Sequence, residues 1–188
     1  MAIDDPFGKR DHEDDYFRKQ DQELIEKMRK AAAAEEARRE LGAKSGIQDP
    51  DLLAEIGRLG FSAETVSLLP LVPILEVAWA EGGVSPAERD LILQVARSRG
   101  IDAGSAADRQ LADWLSHRPA ADVFSRARRL IAAMLSAGTG AGHDLSADDL
   151  VKYCESIAAA SGGILGLGKV SSGERAVIEQ IQHALKNR

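Results

Sequence analysis

Glu81 and Glu88 flank a short glycine loop, Ala80-Glu-Gly-Gly-Val-Ser-Pro-Ala-Glu-Arg89. Two carboxylates across such a loop could hold a hard divalent cation such as calcium, with backbone carbonyls and water filling the shell. A divalent cation is the one cofactor these residues suggest. Glu88 also has a purely structural explanation. Ser85-Pro86-Ala87-Glu88 spells a capping box, with Ser85 as N-cap, Pro86 at the first helical position and Glu88 at the third. Ser171-Ser172-Gly173-Glu174 repeats the same pattern farther along.

Other chemistry-bearing residues are thinly spread. Gly163-Ile-Leu-Gly-Leu-Gly168-Lys169 nearly matches the phosphate-cradling pattern G-x-x-x-x-G-K-[ST], but Val170 stands where a hydroxyl should reach magnesium. A phosphate loop also follows a strand, and the residues before this one read as a helix. The histidines, His12, His117, His143 and His183, include no pair at i, i+4, so no helical zinc pair exists. Cys154 shares an apolar face with Val151 and Ile157 and reads as a buried, inert thiol. No nucleophile has a base at motif spacing, so the chain is not expected to be an enzyme. Arg126, Arg128 and Arg129 read as a solvated basic face. Trp79 and Trp114 read as core anchors.

The elements that position these residues are helical. Of 188 residues, 44% are hydrophobic but only 4% aromatic, so the core must be built from Leu, Ile, Val and Ala. The formal charge of −6 argues against nucleic acid as a partner, because phosphate neutralisation needs a basic face. One cysteine excludes an intrachain disulfide framework and a multi-thiolate zinc site. The acidic start has no apolar leader, and the most apolar run, Leu68 to Ala80, is shorter than the ~20 residues a membrane span needs. A cytoplasmic protein is expected, with membrane association only peripheral and through a partner.

Helices are expected near 14–41, 51–58, 62–81, 85–99, 105–116, 119–137, 146–160 and 171–187. Gly42 is the expected stop of the first, and Pro70 and Pro73 should split or bend the third. No run alternates as a strand would, so the fold class is all-α. Residues 1–45 read as an extended charged arm, partly disordered, 46–60 as a linker with a short helix, and 61–188 as the globular domain.

Two helix-loop-helix units in that domain resemble each other. Ala80-x-Gly-Gly followed by Val84-Ser-x-x-Glu-Arg89 recurs as Ala160-x-Gly-Gly followed by Val170-Ser-x-x-Glu-Arg175, with Ile164 to Lys169 inserted. Leu91, Ile92 and Val95 then align with Val177, Ile178 and Ile181, and Val77 aligns with Ile157. The matching positions imply two pseudo-symmetric hairpins packed together.

These units resemble the TerB-like (tellurite resistance) family, over about Phe61 to Arg188. The resemblance implies a compact helical domain with internal pseudo-symmetry and a role in tellurite or chemical-stress resistance in bacteria. It further implies metal binding through acidic residues and a place in larger assemblies. The chain departs from the family where an Ala-Asp-Gly pattern is usual: Glu81 and Ser161 take the aspartate position.

The arm has its own candidate chemistry. Phe17, Leu24 and Met28 make a narrow apolar stripe, spaced by seven and four residues, on a densely charged helix. With Tyr16 they are the candidate partner-binding residues, because aromatic side chains on a solvated arm gain from burial against a protein. Glu13-Asp-Asp-Tyr-Phe-Arg-Lys19, with Leu24, Ile25 and Met28, also resembles segments of ATP-synthase inhibitor proteins. The expected function is a non-enzymatic, TerB-like adaptor in a stress-response assembly. The alternative is a regulator whose N-terminal helix binds a large complex.

Overall fold

A computed structural model describes residues 6–137, 146–160 and 170–186, with side chains for 18–135, 146–160 and 170–186. Every regular element among them is helical. The α-helices are α1 (Pro6–Ser45), α2 (Pro50–Arg58), α3 (Val72–Ala78), α4 (Pro86–Ser98), α5 (Ala106–Ser116), α6 (Ala121–Ala137), α7 (Ala147–Ala160) and α8 (Ser172–Lys186). A 3-10 segment, Val66–Leu71, precedes α3. No helix among the described residues is long and apolar enough to cross a membrane.

The chain divides into two units, Met1–Arg39 and Glu40–Arg188. In the first, the described side chains, Arg18 to Arg39, are all exposed. Its helix is held locally by ion pairs spread around its circumference: Glu26–Lys30 at 2.7 Å, Glu35–Arg38 at 3.0 Å and Glu36–Arg39 at 2.6 Å. Such pairs contribute only a few tenths of a kcal/mol each.

The second unit begins earlier than the sequence suggested. Leu41, Ile47, Leu53, Ile56 and Leu59 belong to the same core as the later helices. The segment expected to be a linker is therefore core. Gly42 does not end α1 but lies inside it. A Cβ there would sit 3.1 Å from the Ile47 carbonyl and 3.3 Å from a Leu53 methyl, so glycine permits the chain to fold back closely. Gly46, at φ +71°, makes the turn instead, its N–H donating to the Gly42 carbonyl at 2.9 Å. Asp49 then caps α2, accepting from the N–H groups of Asp51 and Leu52.

The prolines divide the stretch 62–81 as expected. Pro70 falls within the 3-10 segment and Pro73 within the first turn of α3, where a missing N–H costs nothing. In α3 every residue except Glu76 is buried, as a helix apolar on nearly all sides must be. It packs against α6, α7 and α8, and α7 also packs against α4 and α8. Trp79 is buried as an anchor at the end of α3, and Trp114 is half-buried with its ring 5.7 Å from that of Phe61 at an interplanar angle of 85°.

Candidate functional site

The first loop leaves α3 at Ala78 and turns at Gly82, whose φ is +88°. That value strains any side-chain-bearing residue, which explains glycine at this position. Ser85 then takes an extended conformation and caps α4. Its Oγ accepts from the Glu88 N–H at 3.3 Å, while Glu88 Oε2 accepts from the Ser85 N–H at 2.7 Å. The start of α8 repeats this geometry. Ser171 Oγ accepts from the Glu174 N–H at 3.1 Å, and Glu174 Oε2 accepts from the Ser171 N–H at 2.8 Å.

The two caps lie together. A Cβ on Gly173, in the first turn of α8, would stand 3.6 Å from the Ala80 carbonyl, just after α3. Glu88 and Glu174 are both buried, at 3% and 1% exposure, whereas Glu81 is exposed. Burial holds the Glu88 carboxyl above its ordinary range, and the charges of Glu174 and Glu81 push in the same direction, against the lowering by Ser85. The aligned core positions share their environments: Ile92 with Ile178 and Val95 with Ile181 are buried, and Leu91 with Val177 are half-buried.

These carboxylates do not fit a protein-built calcium shell. Such a shell takes six to eight oxygens, several of them charged. Glu88 and Glu174 each commit one oxygen to a cap, and only Glu81 stands open to solvent. No group of three or more metal-ligating side chains arranged to hold an ion occurs among the described residues. The structure thus places Glu81 and Glu88 near each other but builds Glu88 into a helix start.

Of the arm candidates, Leu24 and Met28 are 57% and 64% exposed, and Ile25 beside them is 48% exposed. Leu24 and Met28 stand one turn apart on one face. They and Ile25 are the large exposed hydrophobics of the described residues. Tyr16 and Phe17 lie in α1, but their side chains fall outside those described. The glycine-rich stretch Gly163 to Lys169, Ser161 and His143 also lie outside the described residues.

One reading changes with the structure. Arg128 is no solvated cation: its side chain is only 16% exposed, and Nη1 donates to Glu76 Oε1 at 2.8 Å. Desolvation raises the Glu76 carboxyl above its usual range, against the pull of Arg128 and Arg118. No sequence signal links residues 76 and 128, because a pair so far apart in the chain leaves no periodic mark. Cys154 is buried as expected, and desolvation, with the nearby Glu76 charge, pushes its thiol up to about 12, too high for a reactive thiolate.

Comparison with family models, with curated proteins and with solved structures finds no match to this chain.

Proposed function

We propose that the chain is a non-enzymatic, TerB-like adaptor of a bacterial stress or tellurite-resistance response that captures a protein partner through α1. The observation carrying this reading is the exposed apolar group Leu24, Ile25 and Met28 on an otherwise charged helix. A helix presenting apolar side chains one turn apart is suited to a groove on another protein. No described residue of its own unit buries them, and exposed apolar side chains in a cluster mark interaction surfaces more often than isolated ones do.

The TerB-like reading of the body draws support from the two equivalent capping boxes and the matched burial after them, as two related hairpins would have. Cation binding is not needed for the adaptor role. The rival reading, a regulator whose arm resembles ATP-synthase inhibitor proteins, uses the same face of α1. The partner's identity separates the two. The decisive experiment replaces Leu24 and Met28 by aspartate and asks whether partner capture is lost while the fold is kept.

A further inference from the structure

We propose that the groove between α6 and α8 binds a small monocarboxylate, with Arg128 and Arg129 holding its carboxylate and the alanines of α8 carrying its apolar body. The groove has a volume of ≈590 Å³, within the range of small-molecule sites. Arg128, Arg129, Glu179 and His183 stand along it, with Ala176 and Ala184 between. Those two alanines are two helical turns apart, about 12 Å, with Gln180 midway between them, and each puts a methyl group on the groove wall.

Arg128 is set for such a ligand. Its side chain is mostly buried and fixed through Nη1, which donates to Glu76 Oε1 at 2.8 Å and more weakly to Gln180 Oε1 at 3.5 Å. The pair is one-pronged, since Glu76 Oε2 is buried without a hydrogen-bond partner. Nε and Nη2 of Arg128 have no hydrogen-bond partner among the described residues. A guanidinium presents its donors as a rigid planar fork that matches a carboxylate. Arg129 lies alongside, its Nε donating to the Ser125 carbonyl at 3.4 Å, and it is exposed.

Charge selects a single negative group. Glu76 is shared between Arg128 and Arg118, so that cluster carries one net positive charge. Arg129 adds one and Glu179 removes one. One surplus positive charge suits a carboxylate, and Glu179 disfavours a dianion such as phosphate. An apolar body can lie on the alanines and against the guanidinium planes.

The test is a nuclear magnetic resonance titration of the full chain with benzoate as probe and inorganic phosphate as comparison. Saturable shifts confined to backbone amides of 125–129 and 176–184 are expected, with weaker binding of phosphate. Arg129 and Glu179 are both exposed, so replacing them should leave the melting temperature unchanged. Arg129→Ala should weaken benzoate binding about fivefold, and Glu179→Gln should strengthen it about twofold to fivefold. Shifts scattered over the surface, shifts that never saturate, insensitivity to Arg129→Ala, or phosphate binding as tightly as benzoate would each overturn the assignment.

Discussion

The indole N–H of Trp79 donates to the main-chain carbonyl of Trp114 at 2.8 Å, joining the end of α3 to α5. The donor ring is buried, so the bond replaces one that water would otherwise make. Trp79→Phe removes the donor and leaves space. It should destabilise the protein by about 1–3 kcal/mol in urea denaturation. No loss of stability would mean the bond is dispensable.

The paired caps give a second expectation. Ser85→Ala and Ser171→Ala each delete the hydroxyl that accepts from the N–H of a buried glutamate. Each should lower stability by ~1 kcal/mol. Unchanged denaturation midpoints in both variants would remove the structural role assigned to these serines and return Glu88 to candidacy as a ligand.

The buried carboxyls make stability depend on pH in a defined direction. Glu76 and Glu88 are both raised above 4.5, chiefly by burial. The folded state therefore holds their protons more tightly than the unfolded state does. Their contribution to stability is complete below 4.5 and is lost as pH rises through the raised values. Asp108, Asp148 and Asp149 shift the opposite way, below 3.8, and so act outside this window. Glu76→Gln should lose less stability than the parent protein when urea midpoints at pH 4.5 and pH 7 are compared. An identical loss in both would show that Glu76 is not perturbed.

The boundary of the body is testable by truncation. Leu41 and Ser45 are buried, and the Ser45 hydroxyl both donates to the Leu41 carbonyl at 2.7 Å and accepts from the Ile47 N–H at 3.3 Å. Removing residues 1–39 should leave the melting temperature nearly unchanged. Removing 1–45 also deletes Leu41 from the core, and should lower it by about 5 °C or more. Equal melting temperatures for the two truncations would contradict the boundary at Glu40.

Much of the fold was legible in the sequence, because helix starts and breaks are written in local residue types. Asp49-Pro50, Ser85-Pro86 and Ser171 with Glu174 each mark a helix start that the structure contains. Pro70 divides the apolar stretch through its missing N–H. The start of the body was not legible. Leu41 is a single apolar residue at the end of a charged run, and its burial depends on Ile47 and Leu53 folding back over Gly42. The Glu76–Arg128 pair joins two helices distant in the chain and left no local trace.

The most direct measurement is a side-by-side capture experiment with the parent protein and a Leu24→Asp, Met28→Asp variant, the retained proteins compared by mass spectrometry. Both side chains are more than half exposed, so the variant should melt at the parent temperature. The account predicts that at least one protein held by the parent is lost from the variant. If both retain the same proteins, or if the variant unfolds, this face of α1 is not a partner-binding surface and the adaptor reading fails.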